Sequence, residues 1–168
     1  EKQLLSVVRR APFEDLGFAR VDHHREVRQG FPEVIFGLGK TPEQIAKIAK
    51  SIVAEGQSLL ITRADEKAYI AVKNVVQNVC FHELAHAITN NGPMETTGYG
   101  VILVMAAGTS DLPVAEEARV SAEAMGNRVD TLYDVGVSGI HRVLSEEERL
   151  NAARVIIAVA GMEGALPS

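Results

Sequence analysis

Short apolar runs alternate with helix-spaced apolar positions along most of this chain. The clearest case is residues 101–117, VILVMAAGTSDLPVAEE. A run rich in β-branched residues breaks at a polar turn, and a proline then opens an amphipathic segment. The pattern predicts a strand, a tight turn and a helix. Beyond Gly100 the rhythm repeats: VILVMAA, PVAEEARVSAEAMG, RVDTLYDVG, SGIHRVLS with its extension, and RVIIAVAG read as strand, helix, strand, short helix and strand. Strands alternating with helices imply βαβ units and a parallel sheet. Upstream, FPEVIFG (residues 31–37) predicts a short strand. Thr41 is placed to cap a helix, with Pro42 at its first position and Gln44 set for a capping box. Ile45, Ile48, Ala49 and Ile52 recur at helical spacing, and Gly56 ends the segment. SLLITR predicts a strand. Residues 64–78 carry a second helical pattern through Ala68, Val72, Val75 and Val76, and VCFHELAHAIT is ambiguous. Residues 1–30 are polar and mixed, with helical propensity at QLLSVVRR.

NNGPMETTGYG (residues 90–100) makes the best domain boundary. The expected fold class is α/β: a small N-terminal αβ domain over residues 1–95, then a three-layer, flavodoxin/Rossmann-like parallel-sheet domain begun by residues 96–168. The last stretch, ARVIIAVAGMEGALPS, reads as a buried strand, a Gly-rich turn and a helix just beginning. A parallel sheet needs its faces covered and its next strand paired. The second domain is therefore expected to be incomplete.

Composition narrows the function classes. The chain has 168 residues, 46% of them hydrophobic, and a formal net charge of −5. An acidic balance argues against a general nucleic-acid binder. The one basic cluster, around Arg20, His23, His24, Arg25 and Arg28, reads as a solvated loop or as a weaker arm reaching over a ligand. Cys80 stands alone, so no disulfide framework is expected, and a reducing, cytoplasmic setting is the default. No run approaches the roughly 18 apolar residues of a membrane span, so no membrane partner is expected.

Ligands on parallel sheets bind outside the carboxyl ends of the strands. Three such ends carry polar or Gly-rich turns here: Gly108-Thr109-Ser110-Asp111, Asp134-Val135-Gly136 and Gly161-Met162-Glu163-Gly164. The first suits a phosphate, because a helix start collects unpaired N–H groups and the positive end of the helix dipole. Thr109 and Ser110 offer hydroxyls. Asp111 could cap the helix or accept from a ligand hydroxyl. Asp134 could accept from a ribose hydroxyl or simply form its turn. Arg142 offers a fork for phosphate or carboxylate, and His141 is either a surface residue or a proton carrier.

His82-Glu83-Leu84-Ala85-His86 matches H-E-x-x-H, the helical zinc motif. No third ligand follows at a recognised offset; Glu95 lies past a Gly-Pro, and only His141 remains downstream among the histidines. The segment also falls where a strand is due. There the two histidines would lie two pleats apart, poor spacing for one tetrahedral ion. No metal is expected at this motif.

The order AGTSDLPVAEEA, GIHRVL, AGMEGALPS resembles the aminoimidazole ribonucleotide (AIR) carboxylase, or PurE, fold, with its GSxSD, SAHRTP and GAAHLPG turns. Gly108 and Gly139 stand where that family has serines, and Ala165 replaces the histidine of its third turn, with Glu163 close by. A closer similarity is to the LarB family of nickel-pincer nucleotide cofactor biosynthesis. LGFARVDHHREVRQGFPEVIFGLGKTPEQI resembles that family's N-terminal signature; AGTSDLPVAEEARVSAEAMGN, YDVGVSGIHR and VAGMEGALPS resemble its core. The likeness covers nearly the whole chain.

The resemblance implies a carboxylation of nicotinic acid adenine dinucleotide at pyridinium C5. Cleavage of the phosphoanhydride then gives AMP and a biscarboxylated mononucleotide. CO2 or bicarbonate is the co-substrate, no tightly bound cofactor is implied, and Mg²⁺ is left open. A pyridinium carbon is electrophilic, so a nucleophile must add to the ring before C5 can attack CO2. In the family a cysteine in the last third of the domain is given that part; this chain ends before that region, and Cys80 lies in the other domain. The resemblance therefore implies that the chain as given is inactive in carboxylation. Glu163 is the candidate base for the C5 proton, or else supplies only helix N-terminal electrostatics. With it stand Asp111 and His141 as catalytic candidates, and Gly108, Thr109, Ser110, Asp134, Arg142, Met162 and Gly164 as substrate-binding ones. A homo-oligomer is implied, an octamer where the domain is complete. The alternatives are a purine-pathway carboxylase or mutase, and a non-catalytic nucleotide-binding or assembly module.

Overall fold

The computed structural model describes residues 13–22, 31, 33–90, 96, 98–161 and 164–168. The fold is α/β. Its strands form three sheets. A hairpin comes first, with β1 (Phe13–Asp15) antiparallel to β2 (Arg20–Asp22). Three-residue strands are too short for alternation to reveal, and this hairpin was not expected.

The second sheet is mixed, in the order β3-β4-β6-β5, with β3 (Val34–Phe36), β4 (Leu60–Thr62), β5 (Val79–His82) and β6 (Ala87–Asn90). β3 and β4 run parallel, joined by helix α1 (Pro42–Ala54). That helix starts as its sequence demands. The Thr41 hydroxyl accepts from the Gln44 N–H, and the Gln44 side chain accepts from the Thr41 N–H at 3.0 Å. The second helix, α2 (Glu66–Lys73), is shorter than the expected 64–78. Asp65 caps it by accepting from the Ala68 N–H at 2.8 Å, and the chain leaves the helix before Val75. Val72 and Val76 are buried nonetheless.

Period-two alternation assigns the two faces of this sheet. Ile35, Ile61 and Ile88 pack with Ile45, Ile48, Ala49 and Ile52 of α1 and Ala68 and Val72 of α2. Their neighbours Val34, Leu60 and Ala87 point the other way, against Val120, Ala124 and Met125.

Those partners belong to the third sheet's unit. β7 (Val101–Ala106) lies between β8 (Arg128–Leu132) and β9 (Val155–Val159), all parallel. Helix α3 (Leu112–Ala124) links β7 to β8, while α4 (Ile140–Leu144) and α5 (Glu147–Ala152) link β8 to β9. Val104 and Ala106 pack with Ala115 and Ala118 on the α3 side; Leu103 and Met105 pack with Val143 and Leu150 on the other. Helix α3 is thus buried on two sides, between two sheets. Among the described residues no helix is long and apolar enough to cross a membrane. Beyond β9 the described residues 164–168 include a turn, and Leu166 packs beside the Leu103 cluster.

Candidate functional site

The chain runs from β7 to β8 on one side and later to β9 on the other. The strand order therefore reverses beside β7, and a cleft is expected at the carboxyl ends of β7 and β9. Backbone bonds draw the turns there together. The Ala107 N–H donates to the Val159 carbonyl at 3.0 Å, and the Val135 N–H donates to the Ala106 carbonyl at 3.1 Å. Gly136 lies against the Ala107 carbonyl so closely that a Cβ would meet its oxygen at 2.9 Å. Any side chain there would push the second turn off the first.

Gly108, Thr109, Ser110 and Asp111 form a single tight turn of 3-10 helix that leads into α3. Asp111 does not cap α3. Its Oδ2 folds back to accept from the Gly108 N–H at 3.0 Å, while the Asp111 N–H donates to the Gly108 carbonyl at 3.1 Å. One N–H expected to face a phosphate is therefore already engaged. Thr109 and Ser110 are exposed, and their N–H groups meet no acceptor among the described residues. Asp111 Oδ1 faces the third turn, where a Cβ on Gly161 would lie 3.7 Å away. Gly164 closes that turn, donating to the Gly161 carbonyl at 3.3 Å. Met162 and Glu163 lie outside the described residues, as do His23, His24, Arg25, Arg28 and Glu95 of the sequence reading.

In the second turn Asp134 has φ +60°, in the left-handed region that Asp tolerates. Arg142 Nη1 donates to Asp134 Oδ2 at 2.6 Å. The Asp134 carboxylate, read as a ribose acceptor or a turn former, holds an arginine. His141 is exposed beside it, with no side-chain partner among the described residues.

Two groupings escaped the sequence reading. Glu116 Oε2 accepts from Arg119 Nη2 at 2.7 Å, Glu116 Oε1 accepts from the Tyr133 hydroxyl at 2.5 Å, and Arg119 Nη1 donates to Glu123 at 2.7 Å. Burial opposes the Glu116 charge, but the bonds from Arg119 and Tyr133 outweigh it and hold its carboxyl below the usual range. Burial and then Glu116 push the Tyr133 phenol up. The i, i+3 and i, i+4 spacing of Glu116, Arg119 and Glu123 was the available signal. Asp130 accepts from Arg149 at two points, 3.0 and 2.8 Å, and these bonds lower its carboxyl. Both groupings brace the β8 side of the sheet.

The H-E-x-x-H segment is a hairpin. His82 ends β5, residues 83–86 turn, and His86 takes φ +47° before β6. His82 Nε2 pairs with the Thr89 hydroxyl at 3.0 Å. Burial, then the nearby Arg119 charge, lower its pKa. Among the described residues no three His, Cys, Asp or Glu side chains are grouped to hold a metal.

Residues 13–92 match the model of the LarB/PurE-like N-terminal domain. An uncharacterized protein of Methanocaldococcus jannaschii is 36% identical over 157 residues, covering 89% of this chain. The chain spans 61% of that relative's length.

Proposed function

We propose, on the match of residues 13–92 to a LarB/PurE-like N-terminal domain, that this protein acts in the carboxylation of nicotinic acid adenine dinucleotide. AIR carboxylase-like chemistry is the family-level role. The finer reading adds CO2 at C5 of the pyridinium ring once a nucleophile has added to it. The C5 proton leaves to a base, the nucleophile departs, and water cleaves the phosphoanhydride to release AMP.

One observation carries this reading: three loops drawn together at the carboxyl ends of β7, β8 and β9. A phosphate would sit on the open N–H groups and hydroxyls of Thr109 and Ser110. Asp111, its Oδ2 spent on Gly108, keeps Oδ1 for a ligand hydroxyl. Arg142 supplies a fixed cation for carboxylate or phosphate, and His141 stands beside it as a proton carrier. Glu163, in the third turn by sequence, is the proposed base, with Met162 and Gly164 as proposed substrate-binding residues. Bicarbonate or CO2 is the co-substrate, and a homo-oligomer is the working form.

Calorimetry tests the assignment. Nicotinic acid adenine dinucleotide should bind the wild-type chain. The Asp111→Ala variant should bind it roughly tenfold more weakly, because a loosened turn no longer presents its donors. Equal affinity in both would remove the turn from the site. Binding of aminoimidazole ribonucleotide instead would move the protein to the purine pathway.

A further inference from the structure

Arg142 is held by something the motif reading passed over, namely the missing side chain of Gly139. This glycine is buried, with φ −125°, a conformation open to any residue. Its backbone does not call for glycine; the space above it does. An ideal Cβ there would lie 2.6 Å from Arg142 Nε, 2.9 Å from Nη2 and 3.1 Å from Cζ. Cζ would be farther from it than either nitrogen, so the guanidinium turns its Nε–Nη2 edge into the space a Gly139 side chain would fill. From that seat Nη1 reaches Asp134 Oδ2 at 2.6 Å. Arg142 has five N–H donors, and no acceptor other than Asp134 is found for its side chain among the described residues. The Nη donors that face neither Gly139 nor Asp134 are left unspent.

We propose that Gly139 and Asp134 are positioning residues, a seat and a latch, that hold Arg142 as a preformed receptor for an anionic group of the substrate. The inference rests on the site reading above and deepens it. An exposed arginine loses much rotamer freedom when it grips a ligand. Here the seat and the latch have already removed that freedom, so the ligand meets oriented Nη donors. Asp134 thereby serves the substrate through Arg142 rather than through a ribose hydroxyl. The glycine also sets a limit on relatives: a serine at this position cannot coexist with this placement of the arginine.

The atoms a new Cβ would meet belong to the far end of a flexible side chain. Gly139→Ala should therefore fold normally while displacing the guanidinium. Two readouts separate this inference from the functional reading. The first is the ¹⁵N resonance of the Arg142 Nε–H group, identified by its loss in Arg142→Lys. It should be shifted in the wild type and move toward the free-arginine position in Gly139→Ala and in Asp134→Asn, with Asp134→Glu restoring it in part. An Arg142 resonance unmoved in both variants overturns the inference. The second is calorimetry with nicotinic acid adenine dinucleotide. Gly139→Ala should weaken binding about tenfold in the wild type and leave it unchanged in an Arg142→Ala background. An equal loss in both backgrounds also overturns it. A wild-type chain that binds no dinucleotide, yet shows the resonance shifts, refutes the functional reading and supports the seat and latch.

Discussion

Leu60 and Ile61 are adjacent on β4 and almost fully buried, 3% and 0% exposed, but they face opposite layers. Ile61 packs with α1 and α2; Leu60 packs with Val120 and Ala124 of α3. Truncating either to alanine removes three buried carbons, about 2.4 kcal/mol at ~0.8 kcal/mol each. An unfilled cavity raises the loss to roughly 3–4 kcal/mol. Against a typical stability of about 5–15 kcal/mol, that is a large fraction. At ~2–4 °C per kcal/mol for a chain of this size, melting should fall by roughly 6–16 °C in both variants. The two should differ in where they loosen. Leu60→Ala removes the footing of α3, whose first turn follows Gly108–Asp111. Hydrogen exchange read by mass spectrometry should then show α3 opening first in Leu60→Ala, and α1 and α2 opening first in Ile61→Ala. Equal protection of α3 in the two variants would refute the two-sided burial of this helix.

Two further outcomes follow from the electrostatics and the hairpin. Glu116 has a folded pKa below its reference of 4.5, so its contribution to stability is present above that value and lost as pH falls through the folded one. His82 acts with the same sign from 6.5 downward, since its lowered pKa disfavours the charged form in the folded state. Urea midpoints should therefore drop as pH falls below about 6.5, where His82 begins to charge, and again below about 4.5, where Glu116→Gln should fall less steeply than the wild type; parallel slopes below about 4.5 would contradict the network. Elemental analysis of chelator-free protein should find no stoichiometric zinc at His82, Glu83 and His86. One zinc per chain, lost on His86→Ala, would show that the hairpin rearranges around a metal.

Much of the fold was legible because local signals agreed with one another. Thr41, Pro42 and Gln44 announced α1, and the βα rhythm after Gly100 announced the parallel sheet. The His82–His86 hairpin was not legible, since a short apolar run fits strand or helix equally and the deciding feature is the positive φ at His86. At the site, the turns were readable as turns, but their bonding was not. Asp111 looked like a cap for α3, yet its carboxylate closes its own turn. The value of Gly139 could not be read from a motif, because it lies in an absent side chain and an arginine three residues on.

Helix α3 explains why a site at one sheet depends on the layer beyond it. Its alanines are spaced for two faces: Ala115 and Ala118 meet β7, while Val120 and Ala124 meet β4 and β6. Small side chains let one helix fit between two sheets without a cavity. The stripe between those faces is charged, and it is spent on bonds: Arg63, from the end of β4, pairs with Glu117 at 2.8 Å, and Glu116 binds Tyr133 at the end of β8. The helix is thus gripped by groups from both sheets. Because its N-terminal end continues directly from Gly108–Asp111, the orientation of Thr109 and Ser110 at the proposed site is set by both grips. A change in the packing of Leu60 or in the Arg63 pair is therefore expected to alter affinity at the proposed site through the tilt of α3, with no residue of the rim substituted.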